Sequence, residues 1–236
     1  RVTTSFNVGV IFLALILMFI FPIVSAADVA YIVKNNGSPD SVIVSAINEL
    51  GFSYDLVEES EISSTNLSNY GMILIGDDIF SNPNAIPFHK YNSLIINSRY
   101  YYEKSNGEKQ WGWSKDKSTI SSPSQLKKNN VNINILNGIP NEFNAYTRSD
   151  TNVKTFVLKG KKPTGTIIAV YKISGTISDS VVAVLRPGKT LLNGKTLEGR
   201  SLFFGMTESS LSPEEAKKLF KKSVTWVLTG EDKDND

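Results

Sequence analysis

The strongest constraint on the fold is a series of short, unbroken apolar runs with one helical pattern between the first two. "DVAYIVK" (28–34) is β-branched and aromatic through its middle. "FSYDLV" (52–57) is a second run. "MILIGDD" (72–78) stays apolar until Gly76, and "NSLII" (92–96) has the same form. Apolar runs that do not alternate suit strands covered on both faces, as in a parallel sheet. Between the first two runs, Val42, Ile43, Ala46, Ile47 and Leu50 recur at helical spacing. Ser38 is placed to cap that helix, Pro39 to occupy its first position, and Gly51 to end it. Strand, helix, strand, crossover, strand is the pattern of a doubly wound α/β sheet.

The texture then changes. Residues 103–130 carry many Lys, Ser and Asn with two Trp, and read as a long surface excursion. "VKTFVLKG", "TGTIIAVYKI" and "SVVAVLRPG" follow, spaced by Gly- and Pro-rich turns, and predict antiparallel additions to the sheet. "SLFFGM" (201–206) is another buried strand. Ser212-Pro213-Glu214-Glu215 opens a last helix, with acids in the first turn where the helix dipole favours them. Ala216, Leu219, Phe220, Val224 and Val227 form its apolar face, and Gly230 ends it. Phe203, Phe204 and Trp226 fall at core spacing. With 236 residues and 41% hydrophobic content, residues 28–230 suffice for one sizeable core.

The first 27 residues stand apart. "VGVIFLALILMFIFPIV" (8–24) carries no charge and is followed by Ser25-Ala26-Ala27. It reads as a signal peptide cleaved near Ala26, or as an N-terminal membrane anchor. Either reading places the rest of the chain outside the cytoplasm, secreted or anchored, with membrane contact through this segment alone. Asn36-Gly37-Ser38 and Asn66-Leu67-Ser68 are formal glycosylation sequons. The tail 231–236, "EDKDND", reads as a disordered acidic end or a linker. There is no Cys, which excludes disulfides, thiolate metal sites and Cys nucleophiles together. One His excludes His-based metal motifs, and no Gly-rich phosphate loop is present, so no cofactor or metal is expected. Net charge is +2, and no helix carries the concentrated basic face expected of a nucleic-acid binder.

The order of these pieces resembles the class I glutamine-amidotransferase-like domains, in particular their ThuA-like, trehalose-utilisation branch. "VAYIVKNNGSPDSVIVSAINELGFSYDLVEESEI" is similar to the family's first strand–helix–strand unit, and "NYGMILIGD" to its next strand. "INILNGIP" (133–140) resembles a "HPI-x-x-G" segment, with Asn132 where His would stand. "GRSLFFGMTESSLSPEEAKKLFKKSVTWVLTG" resembles the closing strand and helix. The resemblance implies a flavodoxin-like, mostly parallel sheet flanked by helices, with extra antiparallel strands in the C-terminal half. It also places Ser98 at the position of the family's catalytic Cys, and Gly205 nearest its His.

Ser98 is therefore a candidate nucleophile. A serine hydroxyl needs an adjacent base and an oxyanion hole. The sole imidazole is His89, before the fourth strand, and Asn97 and Arg99 replace the small residues of a nucleophile elbow. The competing reading is a serine that ends a strand and satisfies nearby backbone. Asp77 and Asp78 close the third strand, where open α/β sheets bind ligands. They can hold a cation or a sugar hydroxyl, cap a loop, or pair with Arg99; two carboxylates alone make a poor divalent-ion site. Trp111 and Trp113 either present faces to a sugar or protein, or fold back as plugs over the sheet. The resulting expectation is a non-catalytic extracytoplasmic domain that binds a glycan or a cell-surface protein through Asp77, Asp78, Arg99, Trp111 and Trp113. The alternatives are a serine hydrolase built on Ser98 with an unorthodox base, and a structural component of a surface assembly.

Overall fold

The computed structural model describes residues 27–97, 99–102, 110–121, 125–144, 154–173, 179–207 and 213–230. The N-terminal apolar segment, Ser98 and the acidic tail lie outside these. An 11-stranded mixed sheet runs in the order β2-β1-β3-β4-β11-β10-β9-β6-β7, with β8 pairing β10 and β5. The strands are β1 (Val29–Val33), β2 (Tyr54–Glu58), β3 (Met72–Ile75), β4 (Ser93–Ile95), β5 (Asp116–Ser121), β6 (Gln125–Lys128), β7 (Glu142–Asn144), β8 (Lys154–Lys159), β9 (Ile167–Lys172), β10 (Ser180–Leu185) and β11 (Ser201–Phe204). From β2 to β11 every pairing is parallel; from β11 onward every pairing is antiparallel. The chain is thus α/β, with its parallel strands contiguous and its antiparallel strands added on one side.

Two α-helices occur among the described residues, α1 (Ser41–Glu49) and α2 (Glu214–Thr229). Asp40, not Ser38, caps α1: its Oδ1 accepts the N–H groups of Val42 at 3.0 Å and Ile43 at 3.1 Å. An Asp one residue from the helix satisfies two orphan donors that a Ser three residues away cannot reach. The residue before α2 is Pro213, and Gly230 closes it with φ 68°. Arg200, just before β11, reinforces that end: its guanidinium donates to the carbonyls of Val227 and Leu228. The two helices lie side by side, where Glu49 accepts from Lys217 at 2.6 Å and from Lys221. These two ammonium groups hold the Glu49 carboxyl down at about 2.

Both helices cover the same face of the sheet. Val29, Tyr31 and Val33 of β1, Leu74, Leu94 and Phe204 point to it and meet Ile43, Ile47, Leu219 and Phe220. The alternate residues, Ala30, Ile32, Ile73, Ile75, Ile95 and Phe203, point to the opposite face. No α-helix covers that second face among the described residues, contrary to the expected flanking on both sides. Short 3-10 turns and aromatic side chains do so: Leu67, Phe80, Ile86, Phe88, Tyr100, Tyr101, Trp111 and Trp113. Full burial of one large apolar side chain contributes about 1.5–3 kcal/mol, so a layer of rings can replace a helix.

The expected surface excursion 103–130 is in its described parts an integral piece of the fold. It supplies Trp111 and Trp113 of this ring layer, together with strands β5 and β6. Its polar composition hides the fact that a few large rings anchor it.

Candidate functional site at the carboxyl edge of the parallel strands

The strand order reverses between β1 and β3: β1 leads outward to β2, whereas β3 leads inward to β4. The loops leaving β1 and β3 therefore part in opposite directions, and open a crevice at the carboxyl ends. A cavity of about 530 Å³ lies there, lined by Tyr31, Ser38, Pro39, Asp40, Ser41, Asp77, Asp78 and Thr207. The N-terminus of α1 borders it. Three carboxylates and four hydroxyls thus face one space.

Each wall has a local cause. Tyr31 is buried at the end of β1, and its Oη accepts the Asp40 N–H at 3.3 Å. Its ring lies across the end of β3, where a Cβ at Gly76 would come within 2.9 Å of the ring. Asp78 Oδ2 accepts the Lys34 N–H at 3.1 Å, tying the two loops together. Asn97 is fully buried, and its amide donates to the carbonyls of Gly76 at 3.0 Å and Asp78 at 2.9 Å. Asn97 Oδ1 accepts the Arg99 N–H at 2.8 Å. Farther along the same loop, the Glu59 carboxylate accepts the N–H of Ser81 at 2.8 Å and that of Asn82. The segment carrying Asp77 and Asp78 is therefore held at both ends. Asp77 is exposed and Asp78 half-buried.

The other sequence candidates are placed differently. Arg99 is exposed and does not line the cavity. Ser98 lies outside the described residues. His89 lies in a 3-10 turn, Phe88–Lys90, at the amino end of β4, and its carbonyl accepts the Glu198 N–H at 2.8 Å. Imidazole and crevice thus lie at opposite edges of the sheet. Burial first, then Lys195 and Lys90, lower the His89 pKa, partly offset by Glu198.

Trp111 and Trp113 are 1% and 0% exposed, which corrects the expectation of rings presented to a ligand. Trp111 packs 5.6 Å from Phe88 and 5.5 Å from Tyr100, and its Nε1 donates to the Pro83 carbonyl at 2.9 Å. Trp113 packs 6.2 Å from Phe203. Both are plugs over the sheet, so no ring face is left for stacking on a sugar.

At Gly205, any side chain would collide with the carbonyl oxygen of Phe156 and lie 2.9 Å from that of Val181. Strand β8 runs against the end of β11 here, with Phe156 N–H donated to the Gly205 carbonyl at 2.7 Å. The position that the sequence resemblance gives to a His is thus occupied by backbone.

The sequence pattern pointed to Asp77 and Asp78 but missed Tyr31, Ser38, Asp40, Ser41 and Thr207. The signal for three of them was present: the loop after the first strand borders the crevice wherever the order reverses next to that strand. Thr207 carried no such signal, because its place depends on β11 returning beside β4.

No family model matches this chain, and no curated protein does. Among solved structures, a cytoplasmic protein from Salmonella typhimurium LT2 is similar with TM-score 0.51 and 10% identity over 85% of this chain and 97% of that one. A putative GMP synthase component from Thermoplasma acidophilum matches with TM-score 0.47 and 13% identity, over 85% of this chain and 94% of that one. At 10% identity the first likeness speaks to the fold alone.

Proposed function

We propose that this chain is a non-catalytic, extracytoplasmic binding domain on a flavodoxin-like, amidotransferase-like scaffold. Its ligand is a glycan or a related hydroxyl-rich molecule, held in the crevice between β1 and β3. The observation that carries this reading is the composition of the cavity wall. Carboxylates are strong acceptors for ligand hydroxyls, and Ser and Thr hydroxyls both donate and accept. The parallel strand order 2-1-3-4 followed by β11 is a flavodoxin-type order, and open sheets of this kind bind ligands at such switch points, which supports the reading. The placement of two further residues supports the same reading. His89 is at the far edge of the sheet, and Gly205 has no room for a side chain.

A glycan array probed with the full chain tests the proposal, with Asp77→Ala/Asp78→Ala as the comparison. We expect hits that the double variant loses while circular dichroism shows it still folded. Hits that survive the substitution would place binding elsewhere. Stoichiometric fluorophosphonate labelling of Ser98, abolished in Ser98→Ala, would replace the non-catalytic reading with a hydrolase.

A further inference from the structure

Charge is segregated along the sheet, although the chain as a whole is nearly neutral. Residues 28–102 carry nine Asp or Glu against three Lys or Arg, and form β2, β1, β3 and β4. Residues 154–200 carry nine Lys or Arg against two Asp or Glu, and form β8, β9, β10 and the turns around them. These groups lie toward opposite ends of the strand order. The net charge of +2 thus conceals a strong dipole along the sheet.

We propose that the basic half is a second binding surface, distinct from the crevice, and that it takes an acidic polysaccharide. Its lysines come from separate segments that the fold brings together. Lys189 and Lys195 stand on the turn after β10, which is closed by the Leu197 N–H on the Lys189 carbonyl at 2.9 Å. The Lys189 stem lies against the turn before β9, where a Cβ at Gly165 would meet its Cε at 2.8 Å. Lys161 is in the segment leading to that turn and is bound through its carbonyl to the Lys115 N–H at 2.8 Å. Lys90 adjoins the same turn from the other side: His89 bonds Glu198, and its imidazole feels both Lys90 and Lys195. Lys90, Lys115, Lys161 and Lys189 are exposed. The ion pairs formed among the described residues involve Lys127, Lys217 and Lys221, and none of these four ammonium groups.

The chemistry of the surface selects among polyanions. The exposed large hydrophobic residues, Leu56 and Ile79, both belong to the acidic half, so the basic half has no apolar wedge for a bilayer among the described residues. Trp111 and Trp113 are buried, so they offer no stacking platform for bases. What remains is spaced positive charge with both tryptophans buried, which suits a chain of carboxylates on sugar rings.

The test is binding of the full chain to polygalacturonate, followed by titration at low salt. The variant is Lys161→Ala/Lys189→Ala/Lys195→Ala, and Lys34→Ala on the acidic half is the control. We expect wild-type binding that weakens steeply with salt, a loss of about tenfold or more in the triple variant, and no change in the control. Equal affinity of wild type and triple variant, with both folded by circular dichroism, would overturn the proposal. So would tighter binding to duplex DNA or to anionic vesicles than to polygalacturonate. A larger particle at low salt without any polymer, absent in the triple variant, would make a second copy of this chain the occupant instead. Because the crevice residues are untouched, failure here leaves the glycan reading of the crevice standing, and failure there leaves this one.

Discussion

At the scale of single residues, His89 shows how a lone imidazole can be structural and still leave a measurable trace. Its Nδ1 is buried and has no hydrogen-bond partner among the described residues. Its ring meets Phe88 edge-on at 6.1 Å. Burial, with Lys195 and Lys90 nearby, disfavours the protonated ring, and the Glu198 charge opposes this only in part. The folded pKa therefore lies below the ordinary value of about 6.5, and the unfolded chain takes up the proton first as pH falls. The stability that neutral His89 preserves is complete above that value and declines below it. Thermal melts between pH 7 and pH 5 should fall for the wild type and fall less for His89→Gln. Equal slopes would mean that His89 titrates alike in both states. In the sequence, His89 stood out because it is the only imidazole. Asn97, which fixes the crevice loop from a fully buried position, did not stand out. An Asn at the end of a run reads as a turn residue, and its two carbonyl partners lie about twenty residues away in the chain.

Among the elements, the parallel strands and both α-helices were legible because their signals are local. Unbroken apolar runs and i, i+3, i+4 spacing depend on neighbouring residues alone. The cover of the second face was not legible in the same way. "QWGWS" is held by Pro83, Phe88 and Tyr100 and meets the sheet at Phe203, partners that no local window contains. The segment is fixed by backbone as well: Trp111 and Trp113 donate their N–H groups to the carbonyls of Tyr100 at 3.0 Å and Tyr101 at 2.9 Å. Truncating either ring leaves a large cavity between this layer and the sheet. Trp113→Ala should cost about 3–5 kcal/mol in urea unfolding. If its midpoint matched the wild type and glycan binding were lost instead, the ring would have to be a ligand contact and not a plug.

At the scale of the whole molecule, the connection from β4 to β11 decides how the chain folds. These strands are parallel neighbours, a pairing that about a dozen residues can link. Here residues 96–200 intervene, and they build six further strands. The antiparallel half nevertheless has no separate sheet. β10 pairs β11 from Val182–Phe204 to Leu185–Ser201, and Val157, Val170 and Val182 share one core with the helix face. A sheet hydrogen-bonded without a break, with cores that span both halves, should unfold as one unit. The tryptophans give a direct check, since Trp226 reports the helix face and Trp111 and Trp113 the opposite one. In a Trp226→Phe variant, tryptophan fluorescence should follow only the ring layer. Its urea midpoint should coincide with that of far-ultraviolet circular dichroism, which follows the whole sheet. An earlier fluorescence transition would show that the ring layer detaches before the parallel strands melt. The second face would then be a separable cover rather than part of one cooperative core.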